Sequence, residues 1–290
     1  MSRLHVQRLL GLIWLLDGLM QLKPEMFTKD FINQVILPTA DSQPAWINHS
    51  ITWAANFTMP HIAVWNALFA LVQIALGIGL LMNRRLRLFL TASFVWTLLV
   101  WWFGEGFGQI LTGQTLLLSG APGAVLLYGL IGVAVWPADD SRFGSSSQWT
   151  TQGLSFARYS MGILWLIGSG LHLQQAYLNS KGFLDAISVP WVSQMIGTHG
   201  VAVSLSLAVL ELLLGLSFIL KFQLKVTTWV SIVLSALYWW IGQSFGQVFE
   251  PLATDFNSGL LLMLLSLTAN PSIFSVKTQR TLRLYTNPSH

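Results

Sequence analysis

A helix that crosses a bilayer needs roughly 17–25 mainly apolar residues. This chain carries eight candidate runs, near 5–22, 60–82, 88–104, 121–137, 158–177, 199–221, 226–243 and 256–270, the last of them short. Their continuous apolarity favours helices over barrel strands, which alternate apolar and polar residues to separate lipid from lumen. Composition agrees: 53% of the 290 residues are apolar and 9% are charged, where a soluble domain carries about a quarter charged. The expected fold is all-α, a polytopic membrane protein of about eight transmembrane helices.

The positions of the few charges then set the expected topology, because basic residues in short loops stay cytoplasmic. In an eight-helix arrangement twelve of the fifteen basic residues fall on one side: Arg3, Arg8, Arg84, Arg85, Arg87, Arg142, Arg158, Lys221, Lys225, Lys277, Arg280 and Arg283. Only Lys23, Lys29 and Lys181 fall opposite. Both termini are therefore expected in the cytoplasm, with the chain multi-pass in the cell membrane. No small-residue cleavage site follows Leu22, so the first run reads as a retained helix and not as a secretory signal. So scattered a set of cations is not a nucleic-acid surface. The absence of cysteine excludes thiolate nucleophiles, disulfide exchange, iron–sulfur clusters and Cys-ligated zinc.

The chain also repeats itself. WWFGEGFGQ from Trp101 returns as WWIGQSFGQ from Trp239, 138 residues later. Held backwards, that offset pairs His61 with His199, Gln73 with Glu211 and Gly77 with Gly215. Further upstream the offset becomes 151 and pairs Gly11 with Gly162, Trp14 with Trp165 and Gln21 with His172. The expected organisation is a first four-helix repeat at 1–137, a polar cytoplasmic linker at 138–154, a second repeat at 155–270 and a basic cytoplasmic tail at 271–290. An even number of spans per repeat keeps both copies in one orientation, related by an axis along the membrane normal.

RLLGLIWLLDGLMQLK at 8–23, an outer amphipathic segment, and ELLLGLSFIL at 211–220 followed by a basic turn resemble the DoxX-like membrane proteins. The paired Trp101 and Trp239 motifs look like a feature of a duplicated branch of that family. The resemblance implies a four-helix unit, here doubled, and a setting in a membrane electron-transfer or quinone-linked system with a redox partner subunit. It carries over no catalytic residue.

Ionisable residues inside spans are costly and face a bundle interior, a partner or a water-filled path. Asp17 and Glu211 are the two clear cases, as candidates for proton or ion handling or as buried structural carboxyls. Asp17 has Lys23 within snorkelling reach on the following turns. His61 and His199, at the outer starts of equivalent helices, permit haem or copper ligation or simple capping, although two imidazoles without a sulfur ligand are a thin donor set. The glycine-rich turns read as a re-entrant cap in which Glu105, Gln109, Gln243 and Gln247 stand beside Trp102 and Trp240. That combination suits a quinone headgroup or small amphiphile, or else an interfacial tryptophan belt over a tight turn. MFTKDFINQVIL at 26–37 has the spacing of an amphipathic helix lying on the membrane and roofing such a pocket. Three functions stand together on these residues: a quinone-linked component, a transporter or channel for a small solute, ion or proton, and a scaffold for a partner subunit.

Overall fold

A computed structural model describes residues 1–139 and 144–273, and every regular element among them is helical. Arg142 and the tail from 274 onward lie outside the described residues. Helix α1 (Arg3–Met20) begins where the Ser2 hydroxyl accepts the His5 N–H, the usual way a helix start satisfies a free donor. A π-helical turn and a 3-10 turn over Phe31–Ala40 lead to α2 (Ala45–Thr58), which runs through one 3-10 turn into α3 (Ile62–Met82). Then come α4 (Leu86–Phe103), α5 (Ala124–Ala134), α6 (Thr151–Leu171), two short outer helices α7 (Ser180–Asp185) and α8 (Pro190–Ile196), α9 (Gly200–Leu220), α10 (Leu224–Ile241) and α11 (Asn257–Ala269).

Four stretches are long and apolar enough to cross a membrane: Ala45–Met82, Leu86–Phe103, Pro190–Leu220 and Leu224–Ile241. Their outward faces carry exposed side chains such as Leu71, Val95, Val209 and Val233, a surface suited to lipid and not to water. The other four expected runs also form helices but differ in character. α1 carries Arg3, Arg8 and Asp17, and α6 carries Arg158. α5 and α11 have only 11 and 13 residues, or about 17 and 20 Å of rise, short of a hydrocarbon core of about 30 Å. Both are shortened because the chain before them turns back as non-helical backbone.

Helices α1 and α3 pack antiparallel: Gln7 Nε2 donates to the Leu80 carbonyl at one end, and Gln21 Nε2 donates to Asn66 Oδ1 at 2.5 Å at the other. Between these bonds Gly11 and Gly77 meet. α6 and α9 cross in the same way at Gly162 and Gly215, with His172 Nδ1 and Ser204 Oγ 2.9 Å apart at the far end. A Cβ added to Gly77 would lie 2.6 Å from the Leu15 nitrogen and 2.8 Å from the Gly11 carbonyl oxygen. Small residues are what allow membrane helices this approach. Gly77→Val is expected to destabilise the protein by about 1–3 kcal/mol through overpacking, read as an earlier unfolding midpoint in a dodecyl sulfate titration. An unchanged midpoint would contradict this packing.

α5 and α11 pack on each other and on α6, so the main core runs continuously from Val6 and Trp14 through Leu127 and Tyr128 to Trp165 and Leu261. Two satellite clusters form the outer cap, one around Met26, Phe31, Ile32 and Ile62 and one around Ala40, Ile47 and Ile51.

Candidate functional site

The WWxG turns are built alike in both places. Trp101 Nε1 donates to the Pro122 carbonyl at 2.7 Å, and Trp239 Nε1 donates to the Phe256 carbonyl at 2.6 Å. Each indole meets the turn's phenylalanine edge to face, Phe107 at 4.9 Å and Phe245 at 5.0 Å. Phe107, Gln109, Phe245 and Gln247 all have positive φ, an uncommon and costly conformation for side-chain-bearing residues. Gly108 is left-handed too, and a Cβ there would lie 1.9 Å from the Pro122 carbonyl oxygen. The first turn is therefore pressed directly onto the start of α5.

Behind this cap lies a cavity of about 410 Å³ bounded by α1, α2, α3, α4 and α5, the Phe31–Ile36 turn and the loop before α11. Its walls are mainly aromatic: Trp14, Phe31, Trp53, Phe57, Trp65, Phe69, Trp96, Phe103 and Tyr128. Five of these form a ladder, with ring centroids 5.7 Å apart from Trp53 to Phe57, 5.5 Å to Trp65, 6.3 Å to Phe69 and 5.8 Å to Trp96. Ile32, Val35 and Ile36 of the amphipathic segment also line it.

Three carboxyl groups, Asp17, Glu105 and Asp255, face the same space, and among the described residues lining it none is Lys, Arg or His. Asp17 is 3% exposed; the Tyr128 hydroxyl donates to its Oδ2, while its Oδ1 has no partner. Glu105 Oε1 accepts the Val125 N–H at 3.0 Å, and its Oε2 is shut from solvent without a partner. Gln73 Oε1 and Trp96 Nε1 are likewise buried and unpartnered. Four of the twelve such atoms among the described residues thus belong to residues that line one cavity. Buried polar groups are nearly always hydrogen-bonded, so a cluster of exceptions needs a cause. Burial, reinforced by Asp255, pushes the Glu105 carboxyl up to about 8 against the pull of the Val125 and Ala124 N–H groups. Burial raises Asp255 as well, partly offset by the Thr254 hydroxyl and the Asn257 N–H. The empty cavity therefore holds Glu105 mainly as the neutral acid at pH 7.

The expected site residues do not all meet here. Asp17 and Glu105 line the cavity; the other eight do not. His61 and His199 are exposed at the starts of α3 and α9. Gln109 Nε2 donates to the Thr39 carbonyl at 2.9 Å, and Trp102 Nε1 donates to Ser50 Oγ at 2.9 Å. Gln247 is exposed, and Trp240 faces Trp191 at 6.1 Å. Gln243 is used up as a pin: its Nε2 donates to the carbonyls of Leu117 and Leu118 and to Ser258 Oγ, and its Oε1 accepts the Gly259 N–H. Glu211 is fully buried in the other half, accepting the Tyr238 hydroxyl at 2.6 Å with His172 Nε2 at 3.7 Å. Among the described residues no group of three His, Asp or Glu is arranged to hold a metal ion.

The Lys23 ammonium does not reach for Asp17. α1 ends at Met20, and beyond it Lys23 Nζ donates to the carbonyls of Val248, Glu250 and Ala253, which ties down the loop that brings Thr254 and Asp255 into the cavity. Asp255 and Leu117 are separated by the same 138 residues as the tryptophan motifs, and Leu117 goes the other way. A Cβ on Gly168 would lie 2.2 Å from Leu117 Cδ1 and 2.5 Å from Glu211 Oε2, so Leu117 fills the space beside Glu211. Gln73 and Trp96 were the residues hardest to find in the sequence. The pairing of Gln73 with Glu211 was the only signal for the first.

No family model matches the chain, and no curated protein or solved structure is similar to it.

Proposed function

We propose that the chain is a multi-pass cell-membrane protein that takes a small, largely apolar ligand from the bilayer into the cavity of its first half and acts as a carrier for it. In this reading the chain forms two parallel four-helix units with both termini cytoplasmic, a duplicated DoxX-like arrangement in which the short α5 and α11 cross together with the non-helical backbone before them. Support for the duplication comes from bonds at matching offsets: Trp14 Nε1 to Ser93 Oγ and Trp165 Nε1 to Ser231 Oγ, and Gln21 to Asn66 and His172 to Ser204. The observation that carries the ligand reading is the gathering of four unpartnered buried polar atoms on one aromatic-walled cavity. Mainly apolar walls with a few convergent polar groups are the make-up of small-molecule sites. The mouth favours entry from lipid, since Trp53, Phe57, Leu68 and Leu99 both line the cavity and are exposed.

A quinone headgroup is the second reading, favoured by the free Trp96 N–H and by a Glu105 carboxyl that is protonated at neutral pH and so can donate to a carbonyl oxygen. Haem has no histidine to bind in this cavity.

The test is mass analysis of organic extracts from mildly solubilised protein beside Ala54→Trp, which fills the mouth. A small molecule retained by the wild-type protein and lost from Ala54→Trp is expected. Equal content in the two preparations would contradict the reading.

A further inference from the structure

Resting on the carrier reading, we infer that the ligand is a small organic monocation, an aromatic or quaternary amine, held by Asp17 and Glu105 and carried on the faces of Trp65, Phe69 and Trp96. Three observations converge on a cation. Of the four unpartnered atoms on the lining residues three are oxygens, those of Asp17, Gln73 and Glu105, and the carboxyl oxygens become acceptors on ionisation; one is a donor, the Trp96 N–H. No basic side chain among the described lining residues answers the three carboxyls. Nor do they form a metal-holding group with one another among the described residues, and the cavity they line, about 410 Å³, has room for a ligand with a body. A cation over an aromatic face gains about 0.5–2 kcal/mol, most when desolvated, and the Trp53 to Trp96 ladder offers such rings from an exposed one to a half-buried one in the cavity that Asp17 also lines. An anionic ligand finds no cationic side chain among the described lining residues.

Cation entry carries a proton consequence. The empty cavity keeps the Glu105 carboxyl neutral because an unpaired charge in low dielectric is costly, and the arriving cation favours the ionised form. One proton therefore leaves to bulk water for each cation that binds, with no change of oxidation state. The titratable groups facing Glu105 are Asp17 from α1, Tyr128 from α5 and Asp255 from the loop before α11; Lys23 holds that loop without lining the cavity. Affinity for the cation thus rises with pH through about 8 and levels off above.

The experiment uses the full chain in lipid nanodiscs and two probes of one shape, N-methyl-phenylpyridinium and neutral phenylpyridine, with binding measured by calorimetry. The cation is expected to bind about tenfold or more tighter, with an affinity that increases from about pH 6 to about pH 9 by proton release. Asp17→Asn and Glu105→Gln are each expected to cost about tenfold or more in cation affinity while retaining phenylpyridine, which reports that the cavity is still folded. Asp255→Asn serves as a second carboxyl variant should either fail to fold, and Glu211→Gln, in the other half, should change nothing. Equal binding of both probes, or undiminished cation binding by the carboxyl variants, overturns the cation assignment and leaves a neutral ligand. Binding of neither probe removes the carrier reading and this inference with it.

Discussion

Trp14→Ala and Trp165→Ala will each destabilise the protein by about 3–5 kcal/mol, and only the first will weaken binding in the cavity. Both indoles are almost fully buried, and each donates to a serine hydroxyl on the neighbouring helix, at 3.0 Å for Trp14 and 2.9 Å for Trp165. Removing either leaves a void at a helix junction and takes a partner from a buried hydroxyl, two costs of the same sign. Their surroundings differ. The Trp14 ring lies 4.3 Å from Tyr128, whose hydroxyl holds Asp17 at the cavity, whereas Trp165 lies 6.2 Å from Tyr238, which serves Glu211. Dodecyl sulfate unfolding should give similar losses for the two variants, and phenylpyridine binding should separate them. Equal loss of binding in both would mean that the halves share a single site.

Leu117→Ala is expected to cost about 2–5 kcal/mol and to open a second cavity. Leu117 is 1% exposed and stands against Gly168 in the half that contains Glu211. The position at the same offset in the second repeat is Asp255, which crosses over to line the first repeat's cavity with Asp17, where the second repeat has Gly168. One half thus keeps a lined cavity while the other spends the equivalent volume on leucine packing and on the His172, Glu211 and Tyr238 cluster. Shortening Leu117 should raise the phenylpyridine stoichiometry from one towards two per chain. Lost stability with unchanged stoichiometry would mean that the neighbours collapse into the gap.

The helices were legible because apolar runs of this length have few other uses, and each of the eight expected runs does contain a helix. Their lengths were less so. α5 spans only Ala124–Ala134 of its expected run, starting after the positive-φ Gly123 and ending before Val135, and hydropathy does not register such backbone turns. Three further helices, α2, α7 and α8, were hidden in stretches read as outer connections; α2 supplies Trp53 and Phe57. The symmetric pair His61 and His199 drew attention because it repeats, yet the cavity is built where the repeat breaks: Asp17 against Gly168, Glu105 against Gln243, Asp255 against Leu117. Identity between copies marks shared packing, as at Gly77 and Gly215, and divergence marks the side that keeps an open space. Gln73 and Trp96 could not be picked out among many span residues without knowing which helix faces meet.

The central claim, a ligand cavity in the first half, is tested most directly by an experimental structure of the full chain in nanodiscs with N-methyl-phenylpyridinium present. The account predicts density for one probe molecule between Trp65, Trp96 and the carboxyls of Asp17 and Glu105. Density against His61 and His199 or beside Gln247, with this cavity empty, would contradict it.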